Sequence, residues 1–295
     1  MDVITSYEPY AQEPSYIEAN EALIAALPLD GVTRVLDLAC GTGLMSRLLL
    51  ERAPGLAITG IDLSEESLAI ARKDFSAKGL LVEDATALEH AVGSGRGAIR
   101  LLHGSATDLG ALPGAHFDLC IMGNAIHLMP DKDAFLQGVG RVLRPGARFA
   151  FNSVFFTGTF PPGSEAQYRE WMMQAVEALN EHNAARVERG ERPIGRKRGQ
   201  VGRAFDKDWR TPEQWAETFE RNGFATERVE RRSVPISQQG LELVGAYSGL
   251  AEVLMSGYPV DVASECLQVG ARRMFAKLGI SEIGRLWLEL TAVRQ

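Results

Sequence analysis

The sequence predicts an α/β fold: a seven-stranded sheet with helices on both faces and a helical lid built from two insertions. Three observations carry this expectation. Over the first half of the chain, apolar runs of strand length alternate with amphipathic helical patterns, the arrangement of βαβ units and hence of a parallel sheet covered on both faces. The pattern then gives way to helices interrupted by two further strand-like runs. With 295 residues, 45% of them apolar and 23% charged, the composition is that of a globular protein with a sizeable core.

Taken in order, Tyr7, Tyr10 and Tyr16 precede a first helix over 17–27. Five strands follow at 34–39, 57–61, 99–103, 117–122 and 148–154, each an apolar run of strand length. Between them lie helical patterns at 44–52 and at 64–78, where Leu68, Ile70, Ala71 and Phe75 share a side. An inserted helix is expected over 83–92, and another over 131–143, ending at the turn Arg144-Pro-Gly-Ala147.

Beyond the turn Pro161-Pro-Gly163, an amphipathic helix carries Trp171, Met172, Ala175, Val176 and Leu179 on one face. Thr211, Pro212 and Glu213 read as an N-cap, a proline at the first helical position and an acid in the first turn, opening a helix to Gly223. The sixth strand is expected at 224–236 and the seventh at 285–292, with a helical stretch over 238–278 broken at Gly257-Tyr-Pro259. The organisation is thus a segment 1–30, a core 31–155, a lid insertion 156–210, a core continuation 211–236, a second lid insertion 237–283 and a terminal strand 284–295. Both insertions follow strand ends on the edge where open α/β sheets bind ligands.

Composition excludes several classes. The formal net charge of -7 makes the chain a poor generic polyanion binder, so nucleic acid is not its default partner. One local exception is Arg186 to Arg203, with Arg189, Arg192, Arg196, Lys197 and Arg198 between them against only Glu188 and Glu191. That stretch is either a solvated surface or a clamp for an anionic group. Cys40, Cys120 and Cys266 are odd in number and far apart, which supports neither a disulfide framework nor a metal site; they read as reduced, buried small residues. No apolar run is long enough for a membrane span, and Glu8, Glu13, Glu18 and Glu21 interrupt the region where a signal peptide would be apolar. A soluble, cytoplasmic protein is expected.

Chemistry concentrates in Val35-Leu-Asp-Leu-Ala-Cys-Gly-Thr-Gly-Leu44, a strand ending in a glycine-containing turn that feeds a helix. Gly41 and Gly43 let backbone approach a ligand at the helix N-terminus, and Asp37 offers it an acceptor. Asp62, in Gly60-Ile-Asp-Leu63 at the end of the second strand, is spaced to accept both hydroxyls of a ribose. A lone G-x-G is weak evidence, whereas strand, loop, helix, strand and acid in series are much stronger. The dehydrogenase spacing G-x-G-x-x-G fails, because Ser46 stands in the third glycine position.

On these residues the sequence resembles the class I S-adenosylmethionine-dependent methyltransferases, whose sheet is Rossmann-like, strongly over 31–155 and more loosely in the last two strands. Asp37-Leu-Ala-Cys-Gly-Thr-Gly43 is similar to the family's D-x-G-x-G-x-G loop, with Ala39 in place of its first glycine. The resemblance implies S-adenosyl-L-methionine as cofactor, S-adenosyl-L-homocysteine as product, and a cofactor site of Tyr16, Asp37, Ala39, Gly41, Gly43, Asp62, Leu63, Ser105, Ala106 and Asn124. Within it, Asp62 would hold the ribose, and the Ser105 side chain and Ala106 N–H would face adenine, in the segment His103-Gly-Ser-Ala-Thr-Asp-Leu109. A second segment, Val82-Glu-Asp-Ala-Thr-Ala-Leu88, resembles the same element; the later copy is preferred because the earlier one would leave a long structureless loop. Asn124 would meet the methionine group through its backbone, and Tyr7 or Tyr16 would fold across the cofactor or staple the first helix.

His127, in Gly123-Asn-Ala-Ile-His-Leu-Met-Pro130, is the candidate catalytic residue. Its imidazole would act as general base toward an acceptor hydroxyl, or it packs beside the cofactor. Phe155, Phe156, Trp171, Trp209 and Trp215 line an apolar acceptor pocket or belong to the core. The expected activity is methyl transfer to an oxygen or carbon of a small-molecule acceptor, with a homodimer left open; no metal is implied. The alternatives are an N- or RNA methyltransferase, for which the basic stretch speaks, and a non-catalytic cofactor-binding module.

Overall fold

The computed structural model describes residues 8–197 and 208–295. Its strands are β1 Arg34–Leu38, β2 Ala57–Asp62, β3 Ala98–His103, β4 Phe117–Gly123, β5 Leu143–Ser153, β6 Phe224–Ser237 and β7 Glu282–Arg294. Among the described residues they form one sheet in the order β3-β2-β1-β4-β5-β7-β6. β1 to β5 pair in parallel and β7 runs antiparallel to β5. The succession reverses direction between β1 and β4, creating a switch point beyond their carboxyl ends, the place where open α/β sheets admit ligands.

The helices are α1 Glu8–Ala11, α2 Pro14–Ala26, α3 Leu44–Arg52, α4 Glu65–Ala77, α5 Ala85–Ser94, α6 Lys132–Val142, α7 Glu165–Glu188, α8 Pro212–Arg221, α9 Gln238–Ala246, α10 Ser248–Leu254 and α11 Val260–Leu278. α4 and α5 pack on β2 and β3, and α6 on β5. Their starts are written in side chains: Ser64, Asp84, Asp131 and Thr211 each accept a first-turn backbone N–H, and Thr211 and Gln214 close a reciprocal capping box. Among the described residues, no helix is long and apolar enough to cross a membrane.

The chain divides into two compact units. The sheet unit holds residues 17–157, 208–232 and 287–295, and the helical unit holds the described residues of 8–16, 158–197 and 233–286. The core of the sheet unit includes the fully buried Leu23, Val35, Leu49, Ile58, Ile99 and Ile121. In the helical unit α7 packs along α11, so closely that a Cβ on Gly270 would lie 2.7 Å from the Ala175 nitrogen.

Three details depart from the sequence expectation. Val176 is 48% exposed, because the face α7 buries is set by its small-residue contact with α11 and runs through Tyr168, Trp171, Ala175 and Ala178. β5 begins at Leu143 rather than after the proline turn: Phe117 pairs with Leu143, the register shifts, and Leu119 pairs with Arg148, so the ladder absorbs the turn. The stretch 238–278 breaks at Tyr247 as well as at the expected Gly257-Tyr-Pro259, since Tyr247 takes an extended conformation between α9 and α10.

Candidate functional site

β1, β2, β3 and β4 end on one edge of the sheet unit, and the sequence-derived residues Asp37, Ala39, Gly41, Gly43, Asp62, Leu63, Ser105, Ala106, Asn124 and His127 lie at or just beyond those ends. Parallel pairing enforces this, with Asp37 beside Gly60 and Ile121, and Asp62 beside His103. Tyr16 belongs to the helical unit, where its ring stands edge-on to Tyr10 with centroids 5.3 Å apart. Tyr7, Arg198 and Arg203 lie outside the described residues.

The loop from β1 to α3 is held by backbone bonds and by Asp62. The Asp62 carboxylate accepts the Gly41 N–H through Oδ2 and the Ser64 N–H through Oδ1, both at 2.7 Å. One side chain thereby fixes the distance between the glycine turn and the start of α4. Each carboxylate oxygen retains a further lone pair for a donor arriving from outside the chain. Gly43 precedes α3 with φ 86°, and a Cβ there would lie 2.5 Å from Cε2 of Phe75, so the turn requires glycine. Ala39 takes φ 54°, the left-handed conformation that the family's glycine would adopt without cost and that a methyl group makes strained.

Asp37 is fully buried. Its Oδ2 accepts the Ser46 hydroxyl at 2.6 Å, and among the described residues its Oδ1 has no hydrogen-bond partner. Burial pushes this carboxyl up to about 7; the Ser46 hydrogen bond opposes the shift and the Asp62 charge adds to it. A buried acceptor atom without a donor is costly, and a cationic or N–H-bearing ligand group reaching it would relieve that cost. Burial also pushes the Cys40 and Cys120 thiols well above their usual range, consistent with inert, space-filling roles.

Around the rim, Leu63 is 69% exposed, an apolar side chain offered to solvent directly after Asp62. Its carbonyl oxygen lies 3.0 Å from Nε2 of His103. The Ser105 hydroxyl accepts the Thr107 N–H at 3.2 Å and lies 2.7 Å from the Thr107 hydroxyl, while Ala106 is buried. β3 occupies Ala98–His103, so the segment after it is the later of the two motif copies; the earlier copy leads into α5 with Asp84 as its N-cap.

After β4, Asn124 takes φ 49° and leads into a single 3-10 turn, Ile126–Leu128, that carries His127. The His127 ring is 3% exposed and packs against Phe155 with centroids 4.1 Å apart. Its Nδ1 lies 3.5 Å from the Ser153 hydroxyl oxygen. Phe155 in turn meets Trp209 edge-on at 5.7 Å. Phe156 and Trp215 are fully buried core residues, Trp215 packing on Phe151 and Phe219, and Trp171 belongs to the helical unit, where its indole N–H donates to the Leu267 carbonyl.

Sequence reasoning missed Asn20 and Asn152. The Asn152 amide donates to Oδ1 of Asn20 on α2 and accepts the Asn124 N–H, both at 3.0 Å. Residues 132 positions apart in sequence carry no spacing signal that would have paired them. The described part of the basic stretch is tied down locally: Arg186 and Arg189 both pair with Glu191 at 2.9 Å, and Arg196 donates to the Ser256 carbonyl. Among the described residues no cluster of three or more potential metal ligands is present.

Residues 36–151 match the family model described as a methyltransferase domain. The chain is 29% identical over 186 residues to the 27-O-demethylrifamycin SV methyltransferase of Amycolatopsis mediterranei, covering 61% of this chain and 62% of that protein. It is 34% identical over 115 residues to the demethylmenaquinone methyltransferase of Thermus thermophilus, covering 39% and 44%. It therefore spans less than two thirds of the length of these relatives. Among solved structures, the YcgJ protein of Bacillus subtilis superposes with a TM-score of 0.54 at 17% identity, covering 94% of this chain and 99% of that one. This likeness is one of fold.

Proposed function

We propose that the chain is a class I S-adenosylmethionine-dependent methyltransferase that transfers a methyl group to an oxygen or carbon nucleophile of a small molecule. The observation that carries the reading is the pair of acids at the switch point: Asp62, clamped by two backbone N–H groups yet still able to accept, and Asp37, buried with one oxygen that no donor among the described residues meets. A relative's 27-O-methyl transfer supports the oxygen nucleophile. The basic stretch gives nucleic acid little support, because Arg186, Arg189 and Arg196 are engaged within the chain.

The residues fit the cofactor. Asp62 would hold the ribose, Leu63 and the segment Ser105-Ala106 the adenine, and Asp37 with the Asn124 backbone the amino-acid end. Bound there, S-adenosylmethionine would supply a methyl group on a sulfonium. What remains for the protein is alignment and exclusion of water.

His127 is the proposed base for a hydroxyl acceptor, and its burial makes packing the competing role. A pH–rate profile separates them. If His127 is the base, His127→Asn abolishes the acidic limb of kcat/KM, whereas a packing residue changes the rate without changing the profile.

Calorimetric titration with S-adenosylmethionine and S-adenosylhomocysteine tests the reading directly. Asp62→Ala should weaken binding by about 1.5–3 kcal/mol, the worth of hydrogen bonds to a charged group. Because Asp62 also holds Gly41 and Ser64, Asp62→Asn, which keeps one acceptor, should lose less. No binding by the folded wild-type protein would falsify the assignment, and screening of acceptors follows only if binding is seen.

A further inference from the structure

At the end of β4 the backbone is held by three asparagines. Asn152 on β5 is fully buried, as is Asn20 on α2. The Asn124 N–H is shared between the Asn152 main-chain oxygen and its side-chain Oδ1, each at 3.0 Å. The Asn152 Nδ2 donates to Oδ1 of Asn20 at 3.0 Å, and Oδ1 of Asn124 accepts the Val154 N–H at 3.0 Å. The arrangement sits tightly against the strand, for a Cβ on Gly123 would lie 3.4 Å from Oδ1 of Asn20.

We propose that Asn152 is a positioning residue for the cofactor: through this buried bracket it holds Asn124, and so the backbone that meets the amino-acid end. The inference rests on the reading that S-adenosylmethionine binds across this edge. Asn124 takes φ 49°, a left-handed conformation that asparagine tolerates better than most residues other than glycine, and the bonds to Asn152 and Val154 fix it in that one orientation. Its conformation decides where the carbonyl after β4 points. Asn152 has one atom facing a backbone donor and another facing a side-chain acceptor, and only a neutral amide meets both needs without burying a charge. The bracket also secures α2 to the switch point, both lying in the sheet unit from residue 17 onward.

A merely structural role would weaken every ligand alike, whereas a positioning role is confined to one end of the cofactor. The test titrates wild type and Asn152→Ala with S-adenosylhomocysteine and with 5′-methylthioadenosine, which keeps the adenine and ribose but lacks the amino-acid end. The variant should bind S-adenosylhomocysteine about tenfold or more weakly, the scale of a lost hydrogen-bonding site, and 5′-methylthioadenosine within about twofold of wild type. Should Asn152→Ala fail to fold, Asn20→Ala removes only the outer bond and should show the same selectivity at roughly two- to fivefold. Equal weakening of both ligands, or unchanged affinity for both, overturns the bracket's role. A folded wild type that binds neither ligand overturns the cofactor reading and the bracket with it.

Discussion

At the scale of single residues, Asp37 makes the site pH-sensitive in a direction that can be worked out. Its folded carboxyl, pushed up to about 7 by burial, lies above the unfolded value near 3.9. Between those limits the folded chain holds a proton that the unfolded chain has lost, so Asp37 costs stability progressively as pH rises, by at most about 4 kcal/mol. Asp37→Asn should therefore raise the melting temperature of the ligand-free protein more at pH 8 than at pH 5; parallel curves for variant and wild type would contradict the burial argument. Ala39 offers a second measurement. Its left-handed conformation costs about 1–2 kcal/mol, while glycine's greater unfolded-state freedom costs about 0.5–1. Ala39→Gly should thus stabilise by about 0.5–1 kcal/mol, and Ala39→Val should lose more than 1, read as shifts in denaturation midpoint. Asp37, Asp62 and the glycines were legible because local spacing places them, each being anchored to a strand end or a helix start. Asn20 and Asn152 were not, because their pairing is created by tertiary packing alone.

Elements were legible wherever the chain carries its own punctuation. α3 matches the expected helix residue for residue, α8 begins at the expected cap Thr211, and Ser64 and Asp131, the expected first residues of two helical stretches, prove to be the caps of α4 and α6. The capping box at α8 predicts that Thr211→Ala costs about 1 kcal/mol, visible in thermal melts, with cofactor affinity unchanged because the box lies outside the site; a change in affinity would tie α8 to binding. Where punctuation is absent, expectation and structure part. No proline marks the break at Tyr247, and hydrophobicity alone favours Val176 for the buried face of α7, whereas close approach to Gly270 selects the small side chain of Ala175. The outer sheet shows the same lesson. Glu289 on β7 is 1% exposed and faces Arg228 and Arg232 of β6 at 3.0 and 2.6 Å, a charge in a strand that reads as apolar.

For the whole molecule, the decisive feature is that the chain passes repeatedly between its two compact units. α2, β6 and β7 each begin in one unit and end in the other. Neither unit can unfold fully without breaking the hydrogen-bonded run of an element that the other also contains. A single cooperative transition is therefore expected, despite a length at which independent unfolding is common. Ligand binding then adds its free energy to the stability of the entire chain. At a concentration 100 times Kd the gain is about 2.7 kcal/mol, which for a chain of this size corresponds to a rise of roughly 4–5 °C in Tm. Differential scanning calorimetry with and without S-adenosylhomocysteine checks both statements. Two transitions, of which only one moves with ligand, would mean that the shared elements melt at their boundaries and that the helical unit does not feel the site; one transition that moves as a whole would mean that binding at the sheet edge is felt throughout the chain.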